Sequence, residues 1–405
     1  MDDGLGLWLD GAKKLLPETV ALRRKIHAYP ELGLHLPVTT QTVKDALSGL
    51  DVSIEEGPST SGMIVTLKGP GQGRTVLLRG DMDALPMPED TEVAFKSTVP
   101  GTMHACGHDS HTAMLTSAVH LLHAHRDRLA GTVKFMFQTG EEGHFGARYM
   151  IEDGLIDRHP VPDGAFAMHI TPNLPTGVFG SRNGALMAGT DTIEITVWGK
   201  GGHASAPHHA LDPMPIACEI VLALQSMVTR RVNPFDPVIL TIAQIEGGTT
   251  NNVIPETVKL TGTLRSVSEG SRKTAKEGIN RVAQNIAKAH GAWAEVVLTE
   301  GYGVTVNDPR MVDLASRAAR DMLGEGRYIT MPSAVMGAED WSYVLNRIPG
   351  CMVFLGVAPD GCDHNTAAPC HSNRMMLDEP AMAHGVALYA AVAERFLDRG
   401  FDQAN

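Results

Sequence analysis

The chain predicts an α/β fold in which a large domain built on a central mixed sheet is interrupted by a smaller, ferredoxin-like one. Three observations carry that reading. Strand and helix signals alternate over roughly the first 180 residues, the texture changes near Gly184, and α/β alternation returns after about residue 303. A length of 405 residues fits two domains. The large domain is expected to comprise residues 1–183 and 303–405, and the inserted one residues 184–302.

The elements follow in order. Val20, Leu22 and Ile26 form an apolar stripe that predicts a helix over 16–29, ended by Pro30. Short apolar runs predict strands at 62–67, 75–79, 132–138 and 164–169, and helical patterns lie at 39–49, 109–125 and 146–153. Beyond Gly184, Ile193, Ile195 and Val197 alternate with Glu194, Thr196 and Trp198, the period of a strand with one face buried. A helix at 212–230, strands at 238–245 and 256–264, a helix at 270–289 and a strand at 294–299 complete a β-α-β-β-α-β unit. A helix at 308–322, the strand Met352-Val353-Phe354-Leu355 and a helix at 378–397 return to the large domain. Gly and Pro fall mostly at the joints, and no internal repeat interrupts the pattern.

Composition excludes several classes. The chain is 43% hydrophobic and 20% charged, and no run approaches the ~18 apolar residues of a membrane span. Its net charge is -12, and its largest basic cluster is Arg23-Arg24-Lys25, which leaves no electrostatic footprint for nucleic acid. Met1-Asp2-Asp3 opens the sequence without the basic and apolar regions of a secretory leader, so a cytoplasmic protein is expected. Five cysteines, an odd number in a long chain, read as reduced thiols and not as a disulfide framework. Cys218, in an apolar helical pattern, reads as a small core residue; Cys362 and Cys370 read as loop thiols near His371.

The chemistry concentrates in His104-Ala105-Cys106-Gly107-His108-Asp109-Ser110-His111, where three imidazoles, a thiol and a carboxylate occupy eight residues. Core packing asks for none of them. Cys106 and His108, two residues apart, can converge on one ion or on neighbouring ions. Gly80-Asp81-Met82-Asp83 and Gly140-Glu141-Glu142-Gly143 each place acids just past the end of a predicted buried strand, where open α/β sheets bind ligands. A metal hydrolase site is the economical explanation. His169, closing the strand Ala165-Phe166-Ala167-Met168, and His371, after Pro369-Cys370, gain weight by completing a five-donor set with Cys106, His108 and Glu142. Either histidine alone would read as structural.

Taken together, these segments resemble the dinuclear metal amidohydrolases that include hippurate hydrolases, N-acyl-amino-acid amidohydrolases and auxin-conjugate hydrolases. The likeness runs almost end to end. It includes Arg23-Arg24 to His27, Pro30 to Gly33, Gly80 to Pro86, His104 to His111, Gln138 to Gly143, Gly199 to Ser205, Gly248 to Pro255 and Gly337 to Trp341. The resemblance implies that Cys106, His108, Glu142, His169 and His371 bind two divalent metal ions, with the Cys106 thiolate shared or leaning towards one. Zinc or manganese is expected, with cobalt or nickel as alternatives. Glu141 is the implied general base, and Asp83 the acceptor of a ligating histidine's far N–H. His203 is implied to contact the scissile carbonyl or its oxyanion, in its own subunit or a neighbour's, and Asn252 and Arg265 the substrate carboxylate. The inserted domain is then a lid or dimerisation domain, and a homodimer or homotetramer acting on a small N-acyl amino acid or dipeptide is expected.

The chain departs from its relatives at His144-Phe145, where small residues are usual, and at His371 to Met376, which is less aromatic than in hippurate hydrolases. His111 lies within one helical turn of the cluster and can orient it, Asp81 can brace its turn, and His120, His123 and His125 lie too far along the helix to reach it. Three other functions remain compatible with the residues: a metallo-dipeptidase or carboxypeptidase, a thiol hydrolase using Cys106 with His108, and a metal-dependent binding protein in which Glu141 has no task.

Overall fold

The structure, a computed structural model, describes residues 5–402. The chain folds into two units: one comprises the residues up to Gly184, Val306–Ser333 and those from Tyr343 onward, and the other comprises Ala185–Thr305 and Ala334–Ser342.

An eight-stranded mixed sheet organises the first unit, in the order Ser53–Glu56, Met63–Lys68, Thr132–Gln138, Thr75–Asp81, Gly164–Thr171, Gly350–Gly356, Phe179–Ser181, Tyr328–Thr330. Its centre is parallel: Thr75–Asp81 pairs with Thr132–Gln138 and Gly164–Thr171, which in turn pairs with Gly350–Gly356. Every residue of Thr75–Asp81, Thr132–Gln138 and Gly350–Gly356 is buried, as expected of parallel strands covered on both faces. Helices Leu5–His27, His108–Ala124 and Met382–Arg399 pack against one another, and their apolar faces join the strands in one core that includes Trp8, Val119, Phe135, Phe166 and Tyr389. At the C-terminal ends of these parallel strands stand Asp81, Gln138 and Thr171, so the loops that follow gather on one edge of the sheet.

The first helix starts eleven residues before the expected position 16, at Leu5, and runs through Pro17. Proline suits a helix's first turn, yet Pro17 lies well inside this one. Here burial of Trp8 and Ala12, with Trp8 Nε1 donating to Glu394 at 2.7 Å, holds the preceding turns in the helix.

In the second unit, four antiparallel strands lie in the order Val238–Gly247, Thr257–Ser266, Gly189–Trp198, Trp293–Glu300. With helices Pro213–Arg231 and Glu269–Ala289 this is the ferredoxin-like βαββαβ arrangement. Ile193, Ile195 and Val197 are fully buried and pack with Ile216, Ile220 and Ile279 from the two helices. Asp212 and Ser268 cap those helices, accepting from the N–H groups of Met214 and Ser271 at 3.0 Å each. The fork of Arg272 grips Asp191 at 2.8 and 2.9 Å and ties the second helix to the first strand.

Two expectations change. Residues 334–342, expected in the large domain, belong to the second unit, because Ala188 N–H donates to both Val335 O and Gly337 O and Thr305 Oγ1 donates to Glu339 O. Cys218 is exposed, since Ile216, Ala217 and Ile220 take the inward face of its helix. Among the described residues, no helix is long and apolar enough to cross a membrane.

Candidate functional site

The cluster His104–His111 lies in the first unit on a turn that enters the helix His108–Ala124. Gly107 makes the turn possible with φ +81°, between Cys106 and His108. The next strand over delivers His169, the Glu141-Glu142 turn follows the strand Thr132–Gln138, and His371 arrives on a loop whose N–H donates to Ala105 O at 2.8 Å. His371 is held in the left-handed region, φ +69°, a conformation that side chains other than glycine rarely adopt.

These residues converge. Cys106, His108 and His169 present donor atoms within 4.8 Å of one another, and so do Cys106, Glu142 and His371. Cys106 belongs to both groups. A third group at the same spacing joins His108, Glu142 and Glu141. Cys106 Sγ lies 3.4 Å from His169 Nε2, and His371 Nε2 lies 3.1 Å from Glu142 Oε1.

The atoms are poised for cations. Both ring nitrogens of His108 are buried without a hydrogen-bond partner, and Glu142 Oε1 is buried with the ring of His371 beside it. Such orphaned groups cost about 1–3 kcal/mol each unless something satisfies them. His169 donates from Nδ1 to Ile170 O at 2.6 Å, which leaves Nε2 with its lone pair facing Cys106. Burial holds His169 neutral, the form that binds metal, with its pKa well below the usual histidine value. Burial also opposes a charge on His108, but Asp81, Asp83 and Glu142 outweigh it and raise the group to about 10. The site thus demands positive charge. Soft thiolate, imidazole and carboxylate donors in two three-donor groups fit a pair of divalent ions.

The surrounding acids have distinct tasks. Asp83 accepts the backbone N–H groups of both Glu141 and Glu142 at 3.0 Å each, clamping the turn, and lies 3.5 Å from His108 Nδ1. Asp81 takes the Nδ1 proton of His111 at 2.5 Å and a buried ion pair with Arg79 at 2.6 Å. His111 Nε2 accepts the N–H of Ile170 at 2.8 Å, so neither of its nitrogens is free to bind an ion. His111 orients. Arg79, whose Nε donates to Gln138, was not singled out in the sequence, although a cation inside an apolar strand is the available signal. Cys370, with its thiol on the carbonyls of Cys106 and Ile170 at 3.9 and 3.8 Å, is nearer the site than its loop reading suggests. Farther along the helix, His120 bonds Ala46 O at 2.9 Å and His123 accepts from Asp51 N–H at 3.2 Å.

Within the second unit, His203 and Asn252 come together and Arg265 stays apart. The strand Gly202–His203 pairs with Val253–Ile254, and Ala204 N–H donates to Asn252 O at 3.0 Å. Ser205 donates its N–H and its hydroxyl to His203 Nδ1 at 3.1 and 2.9 Å, leaving Nε2 to face outward as a donor. Arg265 pairs with Thr190, eight residues along its strand from Thr257, or about 26 Å at 3.3 Å per residue. Its guanidinium donates to Met336 O at 3.4 Å.

Comparison with known proteins agrees with this chemistry. The model of Peptidase family M20/M25/M40 matches residues 77–395. Thermostable carboxypeptidase 1 of Saccharolobus solfataricus is 38% identical over 94% of this chain and 95% of its own. IAA-amino acid hydrolase ILR1-like 4 of Arabidopsis thaliana is 37% identical over 93% of this chain and 85% of its own. The crystal structure of the YXEP protein of Bacillus subtilis, described as a dinuclear metal-binding peptidase of the M20 family, superposes with a TM-score of 0.83 at 32% identity, covering 95% of this chain and 99% of that one. With buried donors in two groups at the strand ends and a family match over most of its length, the chain belongs to Peptidase family M20/M25/M40 and is a hydrolase of amide bonds.

Proposed function

We propose that this protein hydrolyses the amide bond of small N-acyl amino acids or related conjugates, with Glu141 as general base. The observation that carries the reading is the pair of three-donor groups sharing Cys106, with Glu141 in contact distance of His108 and Glu142. Cys106, His108, Glu142, His169 and His371 hold two divalent ions, zinc or manganese before cobalt or nickel. Bound there, the ions supply Lewis acidity that polarises the amide carbonyl and makes water acidic near neutral pH. Glu141 accepts a proton from the attacking water and returns it to the nitrogen of the leaving amine. Asp83 keeps Glu141 and Glu142 in register through their backbone N–H groups.

The relatives favour an amine side that is an amino acid. A carboxypeptidase and a hydrolase of amino acid conjugates both release an amino acid from an amide. Arg265 suits that product's carboxylate, being a half-buried guanidinium with donors to spare. Because His203 lies far along the unit from Arg265, we place it at the scissile carbonyl of a neighbouring protomer's site in a homodimer or homotetramer; Asn252, expected beside Arg265 at the carboxylate, stands instead next to His203. Carboxypeptidase action on short peptides is the second reading, and the Saccharolobus relative favours it.

Cys106 as a nucleophile fits less well. The thiol of Cys370, burial, and the nearby acids Glu142 and Glu141 all push its pKa up, the opposite of what thiol hydrolases need. The deciding experiment pairs metal analysis with turnover on N-acetyl and N-benzoyl amino acids and dipeptides. Chelation should abolish release and about two ions per chain restore it, while Glu141→Gln keeps the metal and loses about 10²–10⁴-fold in rate. Metal retention with unchanged turnover in Glu141→Gln would sink the general-base assignment, and metal without turnover in the native chain would point to a binding protein.

A further inference from the structure

A cation is already built in beside the proposed metal donors. Arg79 is fully buried in the parallel strand Thr75–Asp81; its Nε donates to Gln138 Oε1 at 2.9 Å, and its Nη1 stands 2.6 Å from Asp81 Oδ2. Replacing such a buried pair by apolar residues of like volume is often neutral or stabilising, so stability alone does not account for it. The partner carboxylate is the informative one. Asp81, His108 and His111 present donor atoms within 4.8 Å of one another, the same spacing as the groups proposed to hold ions. His111 has both nitrogens committed, to Asp81 Oδ1 and to the N–H of Ile170, which leaves Asp81 and His108. Asp81 Oδ2 lies 3.5 Å from His108 Nε2. Two donors held tetrahedrally at ~2.1 Å from one divalent ion stand about 3.4 Å apart. His108 Nδ1 faces Asp83 Oδ1 at the same 3.5 Å. Asp83 holds two neutral backbone amides, whereas Asp81 holds a guanidinium and an imidazole, so Asp83 is the better acceptor for the ring proton and Nε2 is the nitrogen left for an ion.

We propose that Arg79 is a fixed internal cation that withholds Asp81 from the ion at His108, so that Asp81 orients the site without joining its donors. The proposal rests on the ligand role given to His108 above. Both members of the pair are fully buried, and Nη1 and Oδ2 meet as charges without the alignment of a hydrogen bond. The guanidinium therefore cancels the charge that would draw an ion to Oδ2. Arg79 acts through Asp81 and is a positioning residue. A further anionic donor would lower the Lewis acidity of the ion and fill the position that water or the amide carbonyl needs, and withholding Asp81 keeps that position open. Arginine suits the task because its charge persists at every pH at which a protein is folded.

The test titrates cobalt(II) into the full native chain, Arg79→Gln, Arg79→Lys and the double variant Arg79→Gln/Asp81→Asn, each first stripped with chelator. Competition with a chromophoric chelator reads affinity, and the visible absorption of the bound ion reads its coordination. Arg79→Gln removes the charge and keeps a hydrogen-bonding group. It is expected to bind cobalt at least about 10-fold tighter than the native chain, with weaker visible absorption as Asp81 becomes an added ligand. Arg79→Lys keeps a cation and is expected to stay near native affinity, and the double variant is expected to lose the gain. A folded Arg79→Gln with native or weaker affinity overturns the proposal, as does tighter binding that persists in the double variant or appears equally in Arg79→Lys. If Arg79→Gln is unfolded without metal, cobalt is expected to restore the fold by replacing the missing charge beside Asp81; failure to restore it overturns the proposal. A native chain that binds no cobalt removes the ligand role of His108 and the proposal with it, whereas native binding with no change in Arg79→Gln removes the proposal alone.

Discussion

The N–H of Ile170 donates to Nε2 of His111 at 2.8 Å, so the residue after His169, one of the proposed metal ligands, is held by an imidazole with neither nitrogen left over for an ion. With Asp81 on its other nitrogen at 2.5 Å, His111 ties the ends of two neighbouring parallel strands to the helix that carries His108. His111→Ala leaves a buried amide and a buried carboxylate short of partners, and should cost about 2–4 kcal/mol. Urea denaturation of the metal-free protein measures it, and an unchanged midpoint would refute the bracing role.

Asp83 gives a different prediction, because its two carboxylate oxygens serve two adjacent N–H groups. In Asp83→Asn one oxygen becomes a donor facing a donor. Metal affinity should fall about 10–100-fold with the fold retained, as for other groups that orient metal ligands. Competition with a chromophoric chelator reads that ratio.

Gly107 has φ +81°, and a methyl group there would sit 2.6 Å from Ile170 Cγ1. Gly107→Ala should therefore shift Cys106 and His108 together. Strain of about 1–3 kcal/mol in stability is expected, along with less than two ions per chain. Full metal stoichiometry in a stable Gly107→Ala protein would show that the turn tolerates the side chain.

A pH dependence follows from His27. Burial opposes its charge, but Asp109 at 2.8 Å and Glu89 at 3.2 Å more than compensate, against repulsion from Arg23, and raise it from 6.5 to about 9. The stabilisation is complete below about pH 6.5 and is lost as pH rises through about 9, an effect on the order of 3 kcal/mol. Thermal melts of the native chain should fall across that window, and those of His27→Gln should fall less. Parallel curves for the two proteins would remove His27 from the account.

Placing His203 in a neighbour's site predicts complementation. His203→Ala and Glu141→Gln proteins, each inactive alone, should regain on the order of a quarter of native activity when subunits exchange, since half of the dimers then hold one intact site. No recovery after demonstrated exchange would return His203 to its own subunit.

Much of the fold is legible in the order of residues because its central strands are buried on both faces. Val76-Leu77-Leu78 and Val133 to Phe137 announce themselves as apolar runs, and Ile193, Ile195 and Val197 as an alternation. The short outer strands Ser53–Glu56 and Tyr328–Thr330 at the edges, and Phe179–Ser181 next to one of them, carry too few residues for a period to show. Cys218 misleads because one helical position among apolar neighbours can still face outward. Cys106 and His108 at a helix start and His169 near the end of its strand are foreshadowed by the residue pattern, whereas Glu142 and His371 arrive on a turn and a loop whose meeting only the fold decides. Of the network of Arg23, His27, Glu89 and Asp109, the sequence singles out only the segments Arg23 to His27 and His104 to His111; Glu89 joins them through tertiary structure alone.

The sharing of Cys106 between two donor groups also imposes an order of assembly. One group, Cys106 with His108 and His169, is complete in sequence once residue 169 has been made; the other waits for Glu142 to meet His371, far downstream. The strand bearing His169 has Thr75–Asp81 on one side from the start, but its other neighbour, Gly350–Gly356, is synthesised only after the whole inserted unit. A growing chain therefore gains the two halves of the proposed metal site at separate times, and the second half closes a ring of residues from Cys106 to His371. Closing so long a loop costs little more entropy than a short one, and once closed it links the first third of the chain to its last.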